Sequence, residues 1–312
     1  MAEVSVIIVT RNTRELVCAA VRSVFAEGKS TATEVIVVDN GSTDGTGAAL
    51  AREFPTAQYS FFDRNLGFAK ANNVGAAQAG GRFLLLLNSD ARLKPGSLAL
   101  AVEWMQTHPE CAVAGAQLFN PDGTRQNSIA NFPTLATELL NKSLLRRLFP
   151  RRYPGKERRF AGPVEVESVI GAFMLIRAEV WRELGGLDER FFFFFEETDF
   201  CRQVRGRGRK VFHLPQVEVW HEQGRSASQV PVAARIEYWR SRYLYFAKNH
   251  ASPVRFLLRL GLGVRLLTTW LGNGLLVLVR LGGERARYRW TVATALLNWH
   301  WRRCPASLGL AR

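Results

Sequence analysis

The sequence predicts an α/β fold: a mostly parallel central sheet with helices on both faces, then a separate helical tail. Three observations carry this expectation. Apolar runs of strand length alternate with stretches of helical periodicity over the first third of the chain. Polar residues follow three of those runs directly: Thr10-Arg11-Asn12, Asp39-Asn40 and Asn88-Ser89-Asp90. Beyond residue 253 the character changes, and arginines punctuate apolar clusters. Strands that are apolar throughout belong to parallel sheets covered on both faces. Such sheets bind ligands beyond the carboxyl ends of their strands, which is where these polar groups fall.

Taken in order, Val4-Ser5-Val6-Ile7-Ile8-Val9 is a buried strand by its β-branched content. Residues 13–26 follow as a helix, with Leu16, Val17, Ala20, Val21, Val24 and Phe25 at helical spacing. Glu34-Val35-Ile36-Val37-Val38 is the second strand, ending in Asp39-Asn40-Gly41-Ser42-Thr43-Asp44, and 45–53 is a helix. Tyr59-Ser60-Phe61-Phe62 is a weak third strand, 68–78 a helix, and Phe83-Leu84-Leu85-Leu86-Leu87 the next strand. A helix over 97–107 leads to a strand over 112–118, and Asn120-Pro121-Asp122-Gly123 makes a turn. Residues 124–165 are irregular, basic and dotted with proline. Regularity returns with a strand over 169–176, a short helix over 178–184 and the glycine pair Gly185-Gly186. Five phenylalanines, 191–195, precede a helix over 197–205, and strand segments at 213–215 and 217–221 close the compact part.

At 312 residues and 47% hydrophobic content the chain buries a full core, one large domain plus an appendage. We place the domain at 1–225, with halves of about 1–118 and 119–225, and the tail at 226–312. Cys18, Cys111, Cys201 and Cys304 are far apart with no CxxC spacing, which argues against a zinc site or disulfide framework and fits a reducing compartment. The amino terminus lacks a basic stretch followed by an apolar one, so no signal peptide is expected. Neither GxGxxG nor GxxxxGK[ST] follows the first strand, which weighs against dinucleotide and P-loop binding.

Two acidic clusters stand against apolar runs: Asn88-Ser89-Asp90, and Glu196-Glu197-Thr198-Asp199 after the phenylalanines. A carboxylate near a core needs a cation partner or a shifted pKa. The two clusters therefore point to a divalent metal and a general base. Bland readings stand beside this one. Asp39 is equally a helix cap, unless Ser42 or Asp44 caps instead. Glu196, Glu197 and Asp199 also suit a solvated first helical turn, and His221 a satisfied core histidine.

The net charge is +15 and unevenly spread. A basic knot of Arg146, Arg147, Arg151, Arg152, Lys156, Arg158 and Arg159 reads as a solvated surface. From Arg255 onward there are ten arginines and one acid, Glu284. The longest uncharged stretch there, 266–279, is shorter than the roughly 20 residues that span a bilayer, and it contains Gly272-Asn273-Gly274. An in-plane amphipathic segment with snorkelling arginines is expected on an anionic membrane surface, with a packing or dimer interface as the alternative.

Several stretches together resemble family 2 glycosyltransferases of the GT-A fold, in particular the rhamnosyltransferase-like branch. They are Val6-Ile7-Ile8-Val9-Thr10-Arg11-Asn12, Val35-Ile36-Val37-Val38-Asp39-Asn40-Gly41-Ser42-Thr43-Asp44-Gly45-Thr46, Asn65-Leu66-Gly67-Phe68-Ala69, Asn72-Asn73-Val74-Gly75 and Leu86-Leu87-Asn88-Ser89-Asp90. Further on come Gly171-Ala172-Phe173-Met174-Leu175-Ile176-Arg177, Phe195-Glu196-Glu197-Thr198-Asp199-Phe200-Cys201-Arg202 and His221-Glu222-Gln223-Gly224-Arg225-Ser226. The resemblance implies an inverting transfer of sugar from a nucleotide diphosphate to a glycan or polyprenyl-linked acceptor in cell-envelope polysaccharide synthesis. Residues 1–118 become the nucleotide-sugar half and 119–225 the acceptor half. Rhamnose from a dTDP donor is the first candidate; a UDP-hexose or UDP-galactofuranose donor, or a non-catalytic nucleotide-sugar or nucleic-acid binding protein, is the alternative.

By the same resemblance Asp39 accepts N3–H of uracil or thymine, Thr10 and Asn12 line that pocket, and Asn65, Gly67 and Asn72 shape the nucleotide-sugar site with Asn88 and Ser89; Arg11 belongs to that site as a phosphate contact, with a surface ion pair as its bland reading. Asp90 binds Mg²⁺ or Mn²⁺, and His221 is a further ligand or diphosphate contact. Glu197 is the general base, supported by Glu196 and Asp199. A hard cation with oxygen ligands lowers the charge of the leaving group, and one carboxylate takes the acceptor proton. Two positions depart from the family: Asn88 stands where the wider metal motif has its first Asp, and Glu197 stands where the base is commonly Asp. The implied setting is cytoplasmic, peripheral on the inner face of the cell membrane, without nucleic acid as a partner.

Overall fold

The structure is a computed structural model describing residues 2–27, 31–153, 158–222, 230–279 and 281–311. Lys156, residues 223–226, the 225/226 boundary and Arg280 lie outside these. The chain forms two compact units: Met1–Phe132 with Pro150–Ser226, and Pro133–Phe149 with Ala227–Ala311.

The first unit runs β1 (Val4–Thr10), α1 (Arg14–Glu27), β2 (Thr33–Asn40), α2 (Thr46–Glu53), β3 (Gln58–Phe62), α3 (Phe68–Ala76), β4 (Phe83–Asn88), β5 (Ala91–Leu93), α4 (Ser97–Thr107), β6 (Cys111–Phe119) and β7 (Ile129–Ala130). The chain then gives α5 (Leu135–Leu139) and α6 (Lys142–Leu148) to the second unit. It returns with β8 (Val164–Glu165), β9 (Ser168–Val169), β10 (Phe173–Arg177), α7 (Ala178–Leu184), α8 (Glu196–Gly206) and β11 (Lys210–His221).

Among the described residues the sheet order is β3-β2-β1-β4-β10-β6-β11-β5, with β8 on β11. The amino-terminal strands β3, β2, β1 and β4 are parallel, as their apolar runs predict. The other half is mixed: β10 lies antiparallel between β4 and β6, and β5 is antiparallel to β11. Alternate strand residues feed two cores. Val6, Val37 and Leu85 pack against α1 and α4, while Ile7, Leu84, Leu86 and Met174 pack against α3, α7 and α8. Both faces are therefore covered.

Two local details differ from the sequence expectation, and a third is a conformation on which the sequence is silent. The strand expected over 169–176 is two pieces, β9 and β10, parted by Ile170-Gly171-Ala172. The segments at 213–215 and 217–221 are one strand, with an irregularity between Leu214 and Glu218 that accommodates Pro215, which has no N–H for the ladder. The phenylalanines form no strand or hairpin. They make a tight bend in which Phe194 and Phe195 both take φ of +71°, a conformation that bulky residues adopt only when their surroundings impose it.

The second unit is helical. Segment 133–149 is held to the helix Pro231–Asn249 by the buried ion pair Glu138–Arg242 (3.3 Å) and by His250 Nε2 at 3.1 Å from the Pro133 carbonyl. Arg265 donates to the Glu138 carbonyl (2.8 Å), and Gly261 leaves room for Leu139. The helix Ser252–Leu278 buries Leu258, Leu262 and Leu266 and exposes Phe256, Leu260, Val264, Leu271 and Leu275. It does not break at Gly272-Asn273-Gly274. Gly274 instead admits the indole of Trp290 from the terminal helix Gly283–Trp301, and Trp270 Nε1 donates to Thr294 Oγ1 (3.0 Å). By length and composition Ser252–Leu278 is apolar enough to cross a membrane.

Candidate active site

The carboxyl ends of β1, β2 and β4 lie side by side. Thr10 is in register with Asp39, and Val9 with Asn88. The polar residues after these strands thus share one sheet edge, and hydrogen bonds join them. Thr10 Oγ1 lies 2.8 Å from Thr13 Oγ1, and Thr13 donates to Ser89 Oγ (3.2 Å). Asn12, at φ +51°, receives the Thr43 N–H (2.7 Å) and gives its own N–H to Ser42 Oγ (2.9 Å).

Asp39 is buried, and its Oδ1 accepts the Ser42 N–H at 2.8 Å. It does not cap α2. Nor does any other side chain: the N-cap is Gly45, and Asp44 just before it accepts the N–H (3.1 Å) and hydroxyl of Thr46 and the Arg14 N–H (3.2 Å); burial pushes its carboxyl up, but these hydrogen bonds outweigh that and hold it below the usual carboxylate range. Asp39 Oδ2 faces Gly47, whose missing side chain also leaves space for Phe61. Phe61 is paired with Asp39 across the strands and is 55% exposed. An aromatic face beside a carboxylate acceptor is a setting in which a planar base stacks and pairs.

Asn65 and Gly67 form a second shelf, tied down by Asn40. Asn40 Nδ2 donates to Asn65 Oδ1 (2.8 Å) and to the Gly67 carbonyl (3.2 Å), while its Oδ1 takes the Leu66 N–H (2.7 Å). Gly67 has φ +85°, and a Cβ there would stand 2.6 Å from the Phe192 carbonyl oxygen. The next residue, Phe68, donates its N–H to that same oxygen at 2.7 Å. The phenylalanine bend is thereby clamped to the amino-terminal half. Asn72 is turned into its own helix, donating to the Phe68 carbonyl (2.9 Å), and does not reach the sheet edge through any described bond. Asn73 instead holds the Leu187 loop.

Asp90 and His221 meet because β5 pairs with β11, with Ala91 opposite His221. His221 Nε2 is 3.4 Å from Asp90 Oδ1, and both side chains are over 90% buried. Gln126 sets the imidazole. Its Nε2 donates to the His221 carbonyl (2.6 Å) and to Asn120 Oδ1, which leaves Oε1 to accept from His221 Nδ1 (2.9 Å). With Nδ1 turned to Gln126, Nε2 is the nitrogen that faces the Asp90 carboxylate, an arrangement that serves either an ion pair between the two or a cation held by both. Asn88 Oδ1 is buried without a hydrogen-bond partner, a third polar group at the end of β4 beside the Asp90 oxygen and the His221 nitrogen. Among the described residues no group of three His, Cys, Asp or Glu side chains gathers, so the protein offers two such ligands here.

The second acidic cluster reaches this edge through two contacts. The Asn88 N–H donates to the Ala172 carbonyl (3.1 Å), and the neighbouring Gly171 faces Glu197, whose Cβ and Cγ would stand 3.5 Å from a Cβ placed there. Burial raises the Glu197 pKa, opposed by the hydroxyl of Thr198, which donates to Glu197 Oε1 (3.2 Å). Glu196 and Asp199 are buried, and Asp199 accepts from Gln203 at 2.8 Å. They do not form a solvated helical turn. Arg11 is exposed with no acid partner among the described residues. Arg177 is a brace at the opposite end of the sheet, donating to the Cys111 (2.8 Å), His108 (3.0 Å) and Met105 carbonyls.

The sequence pattern of glycosyl transferase family 2 matches residues 5–185. The chain belongs to glycosyl transferase family 2. An N-acetylglucosaminyl-diphospho-decaprenol L-rhamnosyltransferase of Mycobacterium tuberculosis is 27% identical over 264 residues, 77% of this chain and 86% of the relative. The O-antigen biosynthesis protein RfbC of Myxococcus xanthus is 27% identical over 258 residues, 78% of this chain and 19% of that protein. The mannosyltransferase PcManGT of Pyrobaculum calidifontis, solved with GDP-Man and Mn²⁺, superposes with a TM-score of 0.55 at 18% identity, covering 96% of this chain and 75% of that one. This family 2 member is a glycosyltransferase with a GT-A-like mixed α/β sheet.

Thr13, Phe61 and Gln126 escape the sequence reading of the site, and Asn40 enters it only as a neighbour of Asp39, without a role. Thr13 and Asn40 are hydrogen-bond intermediaries next to singled-out residues, and Phe61 is the exposed ring of a weak strand. Gln126 lies 95 residues from His221 in a stretch without periodicity, so nothing local marks it.

Proposed function

We propose that this glycosyltransferase catalyses an inverting transfer of a sugar from a pyrimidine nucleotide donor, dTDP or UDP, with rhamnose from dTDP-rhamnose as the leading donor. The acceptor is a glycan or polyprenyl-linked sugar of cell-envelope polysaccharide, met at the cytoplasmic face of the membrane. The observation that carries this reading is the convergence of Asp39, Asp90, His221 and Glu197 on one sheet edge. The family and the rhamnosyltransferase relative support the sugar and acceptor class.

Asp39 accepts the N3–H of the base, with Phe61 beneath the ring. Asp90 and His221, with Asn88 beside them, are the residues that would hold Mg²⁺ or Mn²⁺; when bound, the cation lowers the charge of the diphosphate leaving group. Gln126 keeps His221 in the tautomer that leaves Nε2 unprotonated. Glu197 takes the acceptor hydroxyl proton, and its raised pKa makes it a better base than an exposed carboxylate. Glu196 and Asp199 position it from the same helix turn. The apolar flank of Ser252–Leu278 and the tail arginines attach the protein peripherally to anionic lipid.

Release of nucleoside diphosphate from a panel of sugar nucleotides, with a polyprenyl-diphosphate sugar as acceptor, tests the whole reading. Acceptor-dependent release from dTDP-rhamnose, lost with EDTA and restored by Mn²⁺, is expected. Release from purine sugar nucleotides alone would overturn it.

A further inference from the structure

The basic knot of the sequence does not stay together. Arg146 and Arg147 leave with α6 to the second unit, while Arg151, Arg152 and Arg158 remain in the first. There they line a 290 Å³ cavity with Arg205, Glu165 and Glu167. The two carboxylates are already engaged. Glu165 pairs with Arg205 (2.7 Å) and Lys210 (3.8 Å), and Glu167 accepts from the Phe132 N–H (2.6 Å) and Asn131 Nδ2 (3.2 Å). Arg151, Arg152 and Arg158 have no acid partner among the described residues. Arg158 is nevertheless held in place, lying over the Phe160 ring at 4.9 Å and reaching back to the Arg151 carbonyl at 3.5 Å. Arg151, Arg152 and Arg158 are exposed, so water screens their mutual repulsion, and an anion among them gains charge-assisted hydrogen bonds from several guanidinium groups at once.

The cavity is coupled to Glu197 by two routes. Arg205 and Glu197 share α8, eight residues apart, about 12 Å along a helix axis. Glu167, in the cavity wall, is four residues from Gly171, so extended chain spans at most about 14 Å from one to the other, and a Cβ placed on Gly171 would stand 3.5 Å from Cβ and Cγ of Glu197. One sugar ring together with its anomeric diphosphate covers that order of distance.

We propose that this cavity binds the diphosphate of the acceptor, so that the acceptor sugar is presented to Glu197 while the donor occupies the sheet edge. The inference rests on the functional reading above and adds the residues that recognise the acceptor. Bidentate guanidinium contacts suit phosphate oxygens, and three arginines with no acid partner among the described residues are placed to supply them.

The test uses the full chain and two soluble acceptors: an N-acetylglucosaminyl diphosphate with a short alkyl tail, and the matching alkyl glycoside without phosphate. In R151A/R158A the KM for the diphosphate acceptor should rise by about tenfold or more, as for loss of charge-assisted contacts. Its kcat, the donor KM and the kcat/KM for the phosphate-free glycoside should stay within about threefold of wild type. R158K should recover part of the loss. An unchanged KM for the diphosphate acceptor overturns the proposal. So does an equal loss with both acceptors, which means damage to the fold, and so does a rise confined to the donor KM, which places the nucleotide diphosphate there instead. Wild-type protein that releases nucleoside diphosphate from no donor removes the functional reading itself, and this inference with it.

Discussion

Replacing Glu197 with glutamine separates its chemistry from its structural place. Gln is isosteric, and its carbonyl oxygen still accepts the Thr198 hydroxyl that now sits 3.2 Å from Glu197 Oε1. The side-chain atoms that face Gly171, Cβ and Cγ, are unchanged. What disappears is the ionisable proton site. Loss of a general base costs about two to four orders of magnitude in kcat, or about 2.7–5.4 kcal/mol at 1.36 kcal/mol per tenfold. Stability should move the other way. Burial raises the Glu197 pKa, so the ionised form is disfavoured in the folded state. A carboxyl with a raised folded pKa contributes stability that is present below its unfolded pKa and lost as pH rises through the folded value. The wild type should therefore lose stability across that window, while E197Q does not. At neutral pH the variant should melt no lower than wild type. Donor binding should survive, and the acid limb of the wild-type kcat profile should lie above the ordinary glutamate range of about 4.3. Steady-state kinetics and thermal melts across pH measure all of this. A variant that keeps more than about a tenth of wild-type kcat refutes the assignment. A dead E196Q beside an active E197Q would move the base one residue back.

Four further outcomes follow from the same geometry. D90A should abolish turnover with the fold intact by circular dichroism, and full wild-type activity in excess chelator would remove the cation from the reading. D39A should weaken dTDP or UDP binding by about 1–3 kcal/mol in calorimetry without changing Mn²⁺ affinity; stronger binding of GDP or ADP by wild type contradicts the base pocket. G67A forces a side chain into φ +85° and against the Phe192 carbonyl, so it should lower unfolding free energy by roughly 2–4 kcal/mol in urea and reduce kcat as the phenylalanine bend loosens. Full-length protein should float with liposomes containing anionic lipid and sediment without them, each tail arginine near the surface contributing about 1 kcal/mol; release by high salt supports peripheral attachment, and resistance to carbonate supports a span by Ser252–Leu278.

The amino-terminal half was legible because its signals are local. Fully apolar β-branched runs leave no choice of face, so β1, β2 and β4 fall within one or two residues of their expected bounds, and α4 and α7 coincide with theirs. Asp39, Asp90 and Glu197 could be singled out because carboxylates beside greasy runs are conspicuous. Long-range pairing left no such trace. Nothing in Phe173-Met174-Leu175-Ile176-Arg177 says that the strand enters antiparallel between β4 and β6. Gly171 reads as part of that strand, although it falls in the break between β9 and β10, beside Glu197. In the tail, Gly272-Asn273-Gly274 looks like a break because glycine is a poor helix former. Packing of Trp290 against Gly274 overrides that propensity.

The excursion of residues 133–149 bears on how the protein is made. This segment belongs to the second unit, yet it emerges from the ribosome before β8, β10, α8 and β11 exist. At translation rates of about 5–20 residues per second, its partners on Pro231–Asn249 and Ser252–Leu278 arrive only after an interval on the order of ten seconds. Throughout that interval Leu139 lacks Gly261, and Glu138 lacks Arg242. The nascent chain thus carries an unmated amphipathic segment while its catalytic half is still being completed. The two units are also interleaved in sequence, so neither can be transplanted by one cut.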